Sequence, residues 1–214
     1  MNSWNVFEIA TEGGARTAHT PRPVKIFGVI PSREAELPWA QDTADSLRAA
    51  GAQDVAISTI RGLSNAKNEG FRSLPPGDPE DVILFVDNDT LIEGDLRWFL
   101  DRPFSESFWV PRYVCHTDDF YSALGVVFIN GINHLHLWPA SIGPCIVVRR
   151  KVAQAHTFNP RALLEDLWFG ATMRKAGINC RVAPIRAHVH RPFSTPKHWA
   201  RTNREVYAAL QNPV

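Results

Sequence analysis

Three short apolar runs in the N-terminal part of the chain constrain the fold most. "VKIFGVI" (24–30), "DVAISTI" (54–60) and "VILFV" (82–86) are rich in β-branched and aliphatic residues. The first is continuous rather than cleanly alternating, the pattern of a strand covered on both faces. Between the first two, Leu37, Ala40, Ala44 and Leu47 recur at helical spacing, and Gly51 is a C-terminal stop. Between the last two, "SNAKNEGF" (64–71) reads as a short helix with Ser64 or Asn65 as cap, and "SLPPGDPED" (73–81) as a loop. Strand, helix, strand, helix, strand predicts an α/β domain with a mostly parallel central sheet flanked by helices. Ligands of such sheets bind beyond the carboxyl ends of the strands.

The second half is less regular. "LRWFL" (96–100) predicts a short helix and "SFWVPRYV" (107–114) a strand. "SALGVVFINGINHLHLW" (122–138) fits either helix or strand. "CIVVRR" (145–150) and "NCRVAP" (179–184) predict strands. Leu164, Leu167, Trp168 and Ala171 mark a helix face that ends near Gly177. Residues 1–23 read as an N-terminal extension, 24–194 as the folded domain and 195–214 as a C-terminal segment.

Two acidic pairs carry the chemistry. The third strand runs straight into Asp87-Asn88-Asp89. Carboxylates this close repel unless a cation lies beside them. A hard divalent ion, Mg²⁺ or Mn²⁺, takes oxygen ligands and completes its shell with water and substrate phosphates. A simple turn uses the same residue types. An EF-hand loop is excluded, since Ile92 stands where the obligatory Gly belongs. The second pair, Glu165-Asp166, lies beside an apolar helix face. It reads either as acids favoured at a helix start or as a general base held near a reactive hydroxyl. Adjacent residues on a helix point about 100° apart, so only one need face a cleft.

Composition narrows the class. Across 214 residues the formal net charge is +1, which gives no global attraction to nucleic acid or anionic membrane. No apolar run reaches membrane-spanning length and no signal peptide is visible, so a cytoplasmic protein without a membrane span is expected. Cys115, Cys145 and Cys180 are too few and too scattered for a disulfide framework, and are expected as thiols. Trp109, Trp138, Trp168 and Trp199 could stack on a sugar or base or fill the core. Arg181, Arg186, Arg191, Lys197, Arg201 and Arg204, with His198, form a basic C-terminal run.

In order and spacing, three blocks resemble the family 2-type glycosyltransferases of the GT-A fold. They are "VKIFGVIPSR", "GLSNAKNEG…VILFVDNDT" and "GPCIVVRRKV…FNPRALLEDLWFGATMRKAG". The resemblance covers roughly residues 24–194. It implies an inverting transfer from a nucleoside-diphosphate sugar with Mn²⁺ or Mg²⁺, a UDP-sugar being slightly favoured. Pro31, Ser32 and Arg33 would flank the nucleotide, and Lys67 and Asn68 would contact it and its phosphates. Asp87 and Asn88 would meet the donor, with Asp87 also beside the metal. Asp89 would hold the metal and His190 would complete its site. Asp166 would be the catalytic base, Glu165 its support, and Gly143 the floor of the acceptor site. His190 is favoured over His188 by its spacing to Ser194, and alternate residues of an extended segment face opposite ways. "HLH" at His134 and His136 lacks that context and reads as packed or acceptor-side.

Three positions differ from the family's pattern. Arg61 stands where a base-recognising Asp is usual, Trp168 replaces a third acid, and Lys67 replaces an Arg, keeping charge without bidentate geometry. The acceptor is open, a glycan or a modified nucleic-acid base, and so is the oligomeric state. A nucleotidyltransferase is one alternative, but "PSREAELP" lacks the Gly-rich loop it would need. A non-catalytic sugar-nucleotide-binding protein is the other.

Overall fold

The structure, a computed structural model, describes residues 23–100, 107–135, 143–162, 165–190 and Arg204. Most of both expected terminal segments lies outside these residues, as do Trp138, Trp199, His136, Leu164, Arg191, Lys197, His198 and Arg201.

The three N-terminal apolar runs are strands β1 (Ile26–Pro31), β2 (Asp54–Ser58) and β3 (Val82–Val86). They alternate with helices α1 (Leu37–Ala49) and α2 (Leu63–Ser73). There follow β4 (Thr90–Glu93), a 3₁₀ turn (Leu96–Phe99), β5 (Ser107–Cys115), α3 (Phe120–Leu135), β6 (Cys145–Arg149), α4 (Arg150–Ala155), α5 (Glu165–Lys175) and β7 (Asn179–Val189). One sheet joins all seven strands in the order β2-β1-β3-β6-β5-β7-β4. β1 is parallel to β2 and β3, and β5 is parallel to β7, while β6 and β4 run against their neighbours. Five strands therefore share one direction, as the α/β pattern predicted.

The apolar runs are continuous because both faces of the sheet are covered. On β3, Val82, Leu84 and Val86 enter one buried cluster with Ala40, Ala44 and Leu47 of α1. Ile83 and Phe85 enter a second cluster with Val152 of α4 and Phe169 and Met173 of α5. Truncating a fully buried core residue such as Leu84 to Ala costs about 2–5 kcal/mol. Gly70 lets α2 lie close on β1, for a Cβ there would come within 2.7 Å of Val29.

Three elements depart from the sequence reading, and one open alternative is settled. β4 was not expected, because a four-residue edge strand has no apolar run to announce it. α4 begins where the sixth strand was expected to continue. Its first residue, Arg150, is buried with Nε 3.2 Å from Asp81 Oδ2 and its guanidinium 4.8 Å from the Phe27 ring. The ambiguous segment after 122 is a helix. Asp119 starts it, accepting from Ser122 N at 2.7 Å. Asn130 fastens α3 to β5 by exchanging hydrogen bonds with the Tyr113 main chain at 2.9 and 2.8 Å.

β7 runs past Pro184, where the strand was expected to stop. The β5–β7 ladder slips between Val110–Val182 and Arg112–Arg186, so Pro111 and Pro184 both fall in the irregularity. A proline has no N–H to give a ladder and is tolerated at such a bulge. Pairing then resumes to Cys115–Val189, which carries His188 and His190 to the far end of the sheet. Among the described residues no helix is long and apolar enough to cross a membrane. Trp109 is 9% exposed and packs edge-on against Trp98 at 5.1 Å, so it belongs to the core.

Candidate active site

The carboxyl end of β3 and the start of α5 meet at Lys67 on α2. Its Nζ lies 2.8 Å from Glu165 Oε1 and 3.1 Å from Asp87 Oδ1. Lys67 is 1% exposed, an extreme value for an ammonium, and Nζ also lies 5.3 Å from the Phe158 ring. Burial works against its charge, but the Asp87 carboxylate, followed by Glu165, more than offsets it, so Lys67 stays protonated. Asp87 is asymmetric to its partner. There burial outweighs Lys67, and Glu165 and Asp89 add to it, pushing the carboxyl up to about 6. Asp87 Oδ1 is buried and makes no well-directed hydrogen bond despite the nearby ammonium.

Asp166 sits one residue into α5, half-buried. Its Oδ2 accepts from Gly143 N at 2.6 Å and its Oδ1 from Leu167 N at 2.8 Å. Burial, then the adjacent Glu165, pushes its carboxyl up to about 7, against the pull of Lys67 and the two amides. Gly143 has φ +144°, and a Cβ there would collide with the Tyr113 ring. Tyr113 in turn donates to Cys145 O at 2.7 Å, which holds the segment entering β6 against β5. Tyr113 was not singled out in the sequence. Only the pairing of β5 with β6 reveals it.

The loop after β1 faces the same strand ends. Ser32 N donates to Ser58 O at 2.8 Å, tying the ends of β1 and β2 together. Asn88 Nδ2 donates to Glu36 Oε2 at 2.8 Å and to Ser32 Oγ at 3.2 Å, tying the loop after β3 to them. Pro31 closes β1, and Arg33 is open to solvent, 4.0 Å from Glu36. Asn68 exchanges two hydrogen bonds with the main chain of Phe158, at 2.8 and 2.9 Å. Lys67 and Asn68, expected at the nucleotide, are thus engaged by carboxylates and main chain respectively. Arg61 is exposed in the loop after β2.

The end of β7 supplies the imidazoles. His190 N donates to Asp89 O at 3.3 Å, so these two expected metal ligands are neighbours. Burial, then His116 and His188, holds the His190 ring below its usual pKa against Asp89, which favours the neutral, metal-binding form. His116, just past β5, is a second residue the sequence reading missed. Its ring is parallel to His190, with centroids 4.7 Å apart and 5° between planes.

The residues fit a hard divalent cation with few protein ligands. Asp87, Glu165, Asp89 and Asp166 all act on one cluster through Lys67 or Asp87, more negative charge than one ammonium neutralises. Among the described residues no group of three or more His, Cys, Asp or Glu side chains is placed to hold a metal ion.

No protein-family model matches the sequence, and no curated protein matches it either. Solved structures do match its fold. A mannosyltransferase from Pyrobaculum calidifontis, in complex with GDP-Man and Mn²⁺, superposes with a TM-score of 0.56 at 15% identity, over 90% of this chain. This chain spans 66% of that one. Glucosyl-3-phosphoglycerate synthase from Mycobacterium tuberculosis, in complex with phosphoglyceric acid, gives 0.53 at 14% identity, over 87% of this chain and 79% of that one. The same synthase with Mn²⁺ and UDP-glucose gives 0.51 at 14% identity, over 87% and 78%. These neighbours show that the chain has the GT-A fold.

Proposed function

We propose that the protein is a metal-dependent glycosyltransferase that moves a sugar from a nucleoside-diphosphate donor to an acceptor hydroxyl, with inversion. The observation that carries this reading is the Lys67 bridge. It brings Asp87 and Glu165, far apart in sequence, onto one buried ammonium, with Asp166 next to Glu165 at the start of α5. The bound Mn²⁺ and nucleotide sugars of the structural neighbours support the donor class.

Asp89 and His190 would hold Mn²⁺ or Mg²⁺, with Asp87 behind them. A cation held there would supply the charge that neutralises the leaving diphosphate. Pro31, Ser32, Arg33 and Asn88 line the strand ends where the nucleotide would lie. Lys67 fixes the separation between Asp87 and Glu165. Asp166 takes the proton from the acceptor hydroxyl as its oxygen attacks the anomeric carbon. A carboxyl pushed up to about 7 is partly ionised at neutrality and basic enough to accept that proton. The amides of Gly143 and Leu167 fix its orientation. The acceptor is a hydroxyl of a glycan or of a modified nucleic-acid base. A UDP-sugar remains slightly favoured as donor.

The test is a thermal-shift screen of UDP-, GDP-, ADP-, CMP- and TDP-sugars with Mn²⁺ and with EDTA. A specific donor at a hundredfold excess over Kd stabilises by about 2.7 kcal/mol, roughly 5–10 °C for a chain of this size. The shift should vanish in EDTA. Slow hydrolysis of the same donor should then be lost in Asp166→Asn while its thermal shift persists. No stabilisation by any sugar nucleotide, or undiminished turnover in Asp166→Asn, refutes the reading.

A further inference from the structure

Beside Asp89, three histidines and one glutamate form a connected chain across β4, β7 and the end of β5. Glu93 Oε2 lies 2.6 Å from His188 Nε2, and His188 Nδ1 lies 2.6 Å from His116 Nε2. His116 then lies flat against His190. Strand register produces this arrangement. Leu91 pairs with His188 and Glu93 with Arg186, which leaves Glu93 close to His188, while Cys115 pairs with Val189 and sets His116 beside His190. His116 N also donates to Val189 O at 2.9 Å, which fixes its backbone next to β7.

The chain has a direction. Carboxylates only accept, so His188 must donate from Nε2 to Glu93. In neutral His188 the Nδ1 is then an acceptor, and His116 must donate to it from Nε2. The two contacts orient both rings against β4 and β7. Glu93 is further held by Arg186, whose Nη1 lies 3.7 Å from Oε1.

We infer that Glu93, His188 and His116 are positioning residues that hold the His190 imidazole towards the cation shared with Asp89. The inference rests on the metal-dependent reading above and deepens it. It also explains the two alternating histidines of β7: His190 meets the metal, and His188 is the support that locks the ring packed against it. Outer-shell groups hydrogen-bonded to a ligating imidazole change metal affinity about 10–100-fold when removed, and a stacked ring such as His116 should act at the lower end of that range.

The experiment titrates the full chain with Mn²⁺ in the presence of UDP or GDP, reading free Mn²⁺ by EPR. Pulsed EPR of the bound ion reports whether a ¹⁴N nucleus is coordinated. In the wild type the bound ion shows imidazole ¹⁴N coupling. His190→Ala abolishes that coupling. His116→Ala and Glu93→Gln weaken Mn²⁺ binding about tenfold with the coupling retained, and leave nucleotide binding in EDTA unchanged. His116→Phe retains a flat ring beside His190 but cannot donate to His188, and it too loses affinity. Wild-type affinity in His116→Ala and Glu93→Gln overturns the relay alone. Coupling that survives His190→Ala assigns the ligand to another ring and also overturns it. Failure of the wild type to hold Mn²⁺ with either nucleotide removes the metal-dependent reading itself, and the relay with it.

Discussion

The acidic cluster at Lys67 and the histidine edge at His188 sit at the carboxyl ends of β3 and β7, with β6 and β5 between them in the sheet, and obey opposite physics. At Lys67 the side chain is 2% exposed and Glu165 is 9% exposed, so charge is desolvated and each partner depends on the other. At the edge, Glu93 is 57% exposed and His188 19% exposed, so solvent shares the load. Buried ions must be matched or they unfold the protein. Exposed imidazoles can be rearranged at little cost to the fold, so what they stand to lose is function. Stability and activity should therefore separate along this line.

The largest effect should come from Lys67→Met. It strands Asp87 and Glu165 without a counter-ion, and is expected to cost about 3–5 kcal/mol in urea unfolding. A loss below 1 kcal/mol would show that the cluster is less tightly desolvated than its geometry indicates. Asp89→Ala comes next, with an expected loss of more than about a hundredfold, or 2.7 kcal/mol, in Mn²⁺-dependent nucleotide affinity by calorimetry. Its unfolding midpoint should barely move, since Asp89 is only half-buried.

pH sharpens the contrast. Asp166 must be ionised to act, so kcat/KM should fall about tenfold per pH unit below an apparent value near 7. The stability effect has the opposite sign. The folded value lies above the ordinary carboxylate value, so the stabilising contribution is full below that ordinary value and is lost as pH rises through about 7. Activity and this part of stability should thus cross between pH 4 and 7. A rate profile flat from pH 5 to 8 would remove Asp166 as the base. The smallest effect is expected of His188→Ala, about 1 kcal/mol or less in unfolding, although the same change weakens Mn²⁺ binding. A large destabilisation would make the histidine edge a structural element rather than a relay.

The two regions were also unequally legible. Asp87 stood out because an apolar run stopped dead at it, and Asp166 because it followed a recognisable block. The local signals for β1, β3 and α1 matched the elements found, since burial on both faces leaves a continuous apolar run. Glu93, His116 and Tyr113 carried no such signal. β4 is too short to show a period, and His116 acquires meaning only from a strand lying 72 residues away in sequence. Pro184 misled, because a proline ends a regular strand yet is accepted at a bulge.

What the sequence determined by itself was the set of buried strands, the helices between them, and the two acidic pairs at their ends. These follow from local patterning, since each residue's burial preference is its own. What only the tertiary structure decided was which charges touch. That Lys67 faces two carboxylates rather than solvent, and that His116 lies on His190, depends on strand order and register. Those are fixed by the packing of the whole sheet, and no segment read alone contains them.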